Sequence, residues 1–272
     1  MIEIRHRQTG EILFRDGAAS LAGASLSGRS LRFAALSGAD LRGADLAGCD
    51  FTNGDFAGAC LIGCNLARSD VSNSNLAGAE LREADLSEAR FLVANLTRCD
   101  LRGARLEHAV FQWANFTEAR LGDASMARGD FSRACFDRCD LAGADLSYAR
   151  LRHSTLIGAG LESACLVGSD LTGCDLTDAR LVGAELTSTN LSRARLGGAQ
   201  FGRSILRGVL FCGCRDLHLA RELDDVLHGG DCALDATTLR ASLAHLPDSF
   251  LRGVGYQTHE IETLRGAFAH SA

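Results

Sequence analysis

The chain has 272 residues and a net charge of −6, a length that can bury a sizeable core or about two ordinary domains. The acidic balance argues against general binding to nucleic acid or anionic membrane. The opening stretch MIEIRHRQTG lacks the apolar run of a signal peptide and no segment approaches a membrane span, so a soluble, cytoplasmic protein is expected.

Residues 2–15, IEIRHRQTGEILFR, read as two alternating strands around a Thr9-Gly10 turn, a hairpin cap at the N-terminal end. From there a five-residue unit takes over, plainest at 38–51, GADLRGADLAGCDF. A large apolar centre falls at every fifth residue from Leu21 to Phe211, 39 consecutive positions without an insertion. Every centre is Leu or Phe except Val71 and Met126. Two residues before each centre stands a small residue, with Arg29, Thr189 and Val209 as the exceptions.

A period of five fits neither regular element. On a helix the centres would advance about 140° per unit and spiral round every face. In a straight strand an odd step alternates sides, so half of the centres would face water. The chain must therefore turn once per unit. The small residue and the centre point inward, the residue between them points out, and the last two form a corner. Turns of one hand coil such a chain into a solenoid around a Leu and Phe core.

The pattern A-[D/N]-L-x-x, seen in GADLRGADLAGCDF and GADLSYARL, resembles that of the pentapeptide-repeat proteins over roughly residues 19–215. The resemblance implies an all-β solenoid, a right-handed quadrilateral β-helix with four units or 20 residues per coil. About ten coils are expected here, a rod near 45–50 Å long at roughly 4.8 Å per coil. That register places Phe91, Phe111 and Phe131 on one side and Phe116 and Phe136 on the next, as core ladders. It also places Asp100, Arg120 and Asp140 in one outward column, expected to form an ion-pair ladder. Arg29 in an inward slot suggests an irregular first coil.

Beyond Phe211 the period stops. RDLHLARELDDVLHGG carries Leu217, Leu223, Val226 and Leu227 at helical spacing. DATTLRASLAHLPDSF reads as a second helix with Asp235 near its cap and Pro247 after its end, and THEIETLRGAF as a third. The division expected is a hairpin cap at 1–18, repeats at 19–215 and a small α-helical C-terminal tail at 216–272. LPDSFLRGVG is similar to segments that come after such repeats in some larger bacterial proteins, where a signalling domain such as TIR can come next. Three apolar stripes exceed what one cap needs, so Leu239, Leu243, Leu246, Ile261, Leu264 and Phe268 are candidate contacts for a homodimer.

The 11 Cys could suggest a disulfide framework. However, Cys49, Cys64, Cys99, Cys139 and Cys174 stand where the repeat otherwise has Ala, which favours small buried side chains in a reducing compartment. Cys212, Cys214 and His218, with His228 and Cys232 beyond, lack the paired CxxC spacing of a zinc site. His108 and His153 fall at outward corners as lone surface residues. The N-x-[S/T] matches at Asn95, Asn115 and Asn190 come from the Asp/Asn slot. No catalytic, cofactor or metal site is expected, since a filled rod has no concave polar site.

Two non-enzymatic readings remain. One is a scaffold whose flat faces bind a protein partner of unknown identity, such as a signalling or toxin protein. The other is DNA mimicry, which some members of the resembled family use to bind DNA gyrase and relieve its inhibition, giving resistance to topoisomerase inhibitors. Residues 40–100 hold ten acids against five Arg, and 101–211 hold twelve against thirteen. Asp40, Asp45, Asp50, Asp55, Asp70, Glu80, Asp85 and Asp100 are therefore the candidate acidic partner surface. A solvated acidic surface with no partner would look the same.

Overall fold

Each pentad contributes one short edge and one corner of a coil. The computed structural model describes residues 1–230 and 232–268. Parallel bridges join residue i to residue i+20 from Ser25–Asp45 to Arg195–Arg215, so four pentads close one coil. Every centre from Leu21 to Phe211 is buried.

The backbone hydrogen bonds explain the unit residue by residue. Around Leu101, the N–H of Asp100 donates to Ala79 O in the coil before, at 3.0 Å. Those of Leu101 and Gly103 donate to Arg120 O and Gly122 O in the coil after, at 2.7 and 3.1 Å. The N–H of Ala104 closes the corner onto Leu101 O at 3.0 Å. The fifth donor, Arg102 N–H, finds Asp100 Oδ1 at 3.3 Å. All five donors of the pentad are thus satisfied, as a stacked backbone requires. The Asp/Asn slot forms an Asx turn that no Leu or Ala could form.

Every fifth residue from Gly23 to Gly213 has φ near +60°. With negative φ before it, this is the third residue of a type II turn, which is why glycine recurs there. Inside, the aromatic ladders stack: Phe111 lies 4.6 Å from Phe91 and 5.5 Å from Phe131 between ring centroids, and Phe116 lies 4.7 Å from Phe136. Polar residues in the inward slot bond to carbonyls. Cys99 Sγ donates to Leu76 O at 2.8 Å and Thr189 Oγ1 to Leu166 O at 2.8 Å.

At the N-terminus, β1 (Ile2–His6) pairs antiparallel with β2 (Ile12–Asp16), and its other edge pairs with β3 (Ala34–Ala35). Ile4 is buried in the core shared with the first coils. Arg29 escapes its inward slot. It is exposed, and its guanidinium lies 4.9 Å over the Phe14 ring.

After Phe211 the structure departs from the expectation. No helix forms over 216–230. Residues Leu217–Leu219 make a 3-10 turn, and β5 (Leu227–Gly230) runs parallel to β4 (Ile205–Arg207). Bridges Gln200–Arg221, Ile205–Leu227 and Leu210–Ala233 show a coil grown by one, then two, then three residues. The preceding coil offers an open edge of carbonyls. Arg221, Leu227 and Ala233 N–H take Ala199, Ser204 and Val209 O at 2.8–2.9 Å, while Leu217 and Leu223 bury inward. A helix would have left those edge groups unpaired. Among the described residues three α-helices come next: α1 (Ala236–Ser242), α2 (Asp248–Gly253) and α3 (Thr258–Phe268). Pro247 falls after the end of α1, as expected, and is also the N-cap of α2, a helix that the sequence pattern does not separate.

Candidate functional site

The eight candidate acids do not share a surface. The bridges put Asp40, Glu80 and Asp100 in one outward column, Asp45 and Asp85 in the next, Asp50 and Asp70 in a third and Asp55 in the fourth. A set contiguous in sequence is dealt around the rod, because successive pentads occupy successive sides. Several of these carboxylates are occupied twice. Asp50, Asp70 and Asp85 accept the corner N–H of Thr52, Ser72 and Ser87 at 3.0 Å. Arg32, Arg90 and Arg105 stand 3.6 Å from the same three carboxylates. Arg42 meets Asp40 at 2.7 Å and holds its pKa down to about 2, and Arg82 meets Glu80 at 3.3 Å. Asp45 and Asp55 instead accept from the amides of Asn65 and Asn75, at 3.0 and 3.1 Å.

The expected ladder of Asp100, Arg120 and Asp140 is not how these charges pair. Arg102 takes Asp100 at 2.6 Å and Arg82 stands 3.8 Å from it, both reaching it more directly than the residue stacked above. These pairs are exposed, so each contributes at most about 1 kcal/mol.

The candidate dimer contacts need a correction. Leu239, Leu243, Leu246 and Ile261 are buried within their own chain, in the same core as Phe211, and Leu264 is half-buried against it. The enlarged last coil needs a wider cover than a 20-residue coil would, and these stripes supply it. The side chain of Phe268 lies outside the described residues.

The contact between helices and rod is both apolar and polar. Phe250 of α2 meets Phe211 edge-on at 5.9 Å. Asp235, the N-cap of α1, accepts from Gly213 N–H at 2.9 Å, and Thr238 Oγ1 donates to Phe211 O at 2.8 Å and accepts from Cys214 N–H at 3.0 Å. The last regular pentad thus finds in α1 the partners another coil would have supplied. The bonds from Gly213 and Thr238 hold the Asp235 pKa at about 2. His228 packs on Phe250 at 5.7 Å with neither ring nitrogen hydrogen-bonded, and burial pushes its pKa below 6.5.

Among the described residues no group of three His, Cys, Asp or Glu is placed to hold a metal ion, and no helix is long and apolar enough to cross a membrane. Cys214 is buried, with its Sγ on Leu191 O at 3.1 Å. His108 and His153 are exposed corners. Two open depressions of about 410 and 560 Å³ mark the sides, and their walls include the ion pairs Arg98–Glu118 and Arg68–Glu88.

The inner thiols are inert by environment. Burial pushes Cys64, Cys99 and Cys174 up to about 12, and Cys49 and Cys139 upward too, while the thiolate is the reactive form. At pH 8 the half-exposed Cys60 and Cys135 should alkylate first, then Cys165, and the inner five last. Mass-spectrometric labelling rates that do not separate the two groups would show that the register is wrong.

One surface feature is not evident from the period alone. Val93, Trp113 and Tyr148 occupy left-handed corners at φ +58, +61 and +56 and stand more than half exposed. Arg133 lies over the Trp113 ring at 4.7 Å and Arg128 over Tyr148 at 5.1 Å. The legible signal is the presence of bulky residues in a slot where glycine recurs.

Stacked corners, Asx turns wherever the slot holds Asp or Asn with its corner N–H in reach, and a filled interior define a parallel β-solenoid. A profile described as "Pentapeptide repeat region" matches residues 69–146. Another, "Pentapeptide repeats (8 copies)", matches 19–58, 30–68, 134–173 and 169–208. The chain belongs to the pentapeptide-repeat family. Among solved structures it is similar to HetL, a pentapeptide repeat protein involved in heterocyst differentiation regulation from the cyanobacterium Nostoc sp. strain PCC 7120. Identity is 27%, over 77% of this chain and 91% of HetL, with a TM-score of 0.44. It is also similar to a trypsin-treated variant of QnrB1, a plasmid-mediated fluoroquinolone resistance protein, at 22% identity over 73% of this chain and 89% of that one (TM-score 0.45). A pentapeptide repeat protein of the Arabidopsis thaliana thylakoid lumen shares 24% identity over 46% of this chain and 86% of that one (TM-score 0.29). No curated protein matches the chain.

Proposed function

We propose that the chain is a non-catalytic rod in the cytoplasm that presents its outward columns to a protein partner. The hairpin at 1–18 covers one end, the coils from 19 onward form the rod, and the helices from 236 cover the other. The observation that carries this reading is the filled interior. Phe and Leu ladders occupy the axis, and the depressions of about 410 and 560 Å³ on the sides are open, an arrangement that offers surface rather than a dry concave site. The outward side chains recur one coil apart in four columns, a geometry that holds contact groups at fixed spacing.

Gyrase-directed DNA mimicry is the second reading. QnrB1 is a fluoroquinolone resistance protein, and the net −5 of residues 40–100 is in keeping with the idea. Arg pairing of Asp40, Asp50, Asp70, Glu80, Asp85 and Asp100 weighs against it, because a mimic must show uncompensated negative charge. Affinity capture from the native cell, followed by reconstitution with the purified partner, tests the first reading. Gyrase supercoiling with and without a fluoroquinolone tests the second. A reconstituted complex with unchanged gyrase activity supports the scaffold; restored supercoiling under drug would replace it with mimicry.

A further inference from the structure

One side of the rod brings exposed aromatic and aliphatic corner residues together with Arg. It is built from residues 88–93, 108–113, 128–133 and 148–153, stacked through the bridges Arg90–Val110, Val110–Asp130 and Asp130–Arg150. Its corners carry Val93, Trp113 and Tyr148, exposed at 57, 56 and 56%. The acids of this side are engaged: Glu88 pairs with Arg68 at 3.1 Å, and Asp130 accepts from Ser132 N–H and Gln112 at 3.0 and 2.8 Å. Arg128 and Arg133 rest on the rings of Tyr148 and Trp113. Among the described residues neither they nor Arg150 has a carboxylate within 4 Å. On a chain of net charge −6, this side combines Arg128 and Arg133, outside any close ion pair, with bare aromatic and aliphatic surface.

Folding does not account for these side chains. A β-branched residue at φ +58 is disfavoured, and many equivalent corners are glycine. An exposed Val or Trp gains little by burial to offset that cost. Aromatic and Arg side chains are, by contrast, the types that anchor protein interfaces, and Arg presents a fork that fits a carboxylate.

We propose that this side docks an acidic segment of a partner protein, with an apolar or aromatic residue seated on Val93 and Trp113 and carboxylates on Arg128, Arg133 and Arg150. The proposal rests on the binding-rod reading and names the face and the partner's chemistry. Four coils at roughly 4.8 Å span about 15 Å, the reach of about five residues of extended chain at roughly 3.3 Å each. Asp70 and Asp170 continue the column on either side. Arg90 and Arg152 already hold these two carboxylates, so the cations of this face that stand outside ion pairs reach about as far as a short acidic peptide.

The chain has a single tryptophan, so Trp113 emission reports this site directly. Peptides selected by phage display on the full-length protein, and a 20-nucleotide single-stranded DNA, are titrated while emission and anisotropy are followed. The selected peptides are expected to be acidic with one large apolar residue, and to blue-shift or quench Trp113. Arg133→Glu and Val93→Gly should each weaken them at least tenfold, while Val93→Gly leaves the melting temperature equal or higher. Neutral or basic selected peptides, DNA binding as tight as peptide binding, or affinities untouched by both variants overturn the proposal. Saturable peptide binding that leaves Trp113 emission unchanged removes this face but leaves the binding rod standing; failure to select any peptide counts against both.

Discussion

Phe111→Asp should abolish cooperative folding of several central coils. The ring is fully buried between Phe91 and Phe131 and also touches Phe116 at 5.2 Å. Removing a buried Phe costs about 3–5 kcal/mol in cavity and transfer terms. A carboxylate placed on the axis meets no hydrogen-bond donor or counter-charge, which adds several kcal/mol more. A solenoid is held by contacts between neighbouring coils, so a failed layer uncouples the segments on both sides of it. The contrasting variant is outward Arg120→Ser, expected to change stability by less than about 0.5 kcal/mol. Thermal denaturation by circular dichroism compares the two, and equal melting temperatures would refute the inward and outward assignment.

Removing residues 234–272 should make the rod associate end to end. Deletion strips Asp235 and Thr238 from Gly213 N–H, Cys214 N–H and Phe211 O, and lifts Phe250 from Phe211. An uncovered terminal coil presents unpaired backbone and apolar core together, a template for another chain. The milder Phe250→Ala should cost about 3–5 kcal/mol locally. Thr238→Val, isosteric but unable to bond, should cost about 1–3 kcal/mol. Acid should loosen the same contact. The His228 pKa is lowered by burial from 6.5, so its neutral form stabilises the fold above the unfolded value, and that contribution is lost as pH falls through the lower folded one. Sedimentation velocity across a concentration series decides. A truncated chain that stays monomeric with an unchanged melting temperature would mean that the helices do not cover the end.

The repeat was legible because its physics is local to five residues and then iterated. A centre such as Leu101 must be buried, a small residue such as Cys99 must fit beside the next layer, and Asp100 must bond the corner N–H, so each position shows its role through residue type. The expected inward slots and irregular setting of Arg29 derive from that period alone, whereas the Phe ladders needed the 20-residue register that the family resemblance implies. Past Phe211 the same reasoning misplaced a helix at 216–230, since apolar spacing cannot tell a helix face from an enlarged coil. The open edge of carbonyls at Ala199, Ser204 and Val209 made that choice, and only the preceding coil supplies it. The surface was least legible. Acids adjacent in sequence proved to lie on four different sides, and their Arg partners often come from a coil 20 residues away. Leu239, Leu243 and Leu246 looked like a spare apolar face until the end of the rod was there to cover. Which residues point inward was decided by the five-residue period in the chain itself; which outward residues share a surface was decided by the coil, because stacking at 20-residue intervals creates neighbours that linear order does not contain.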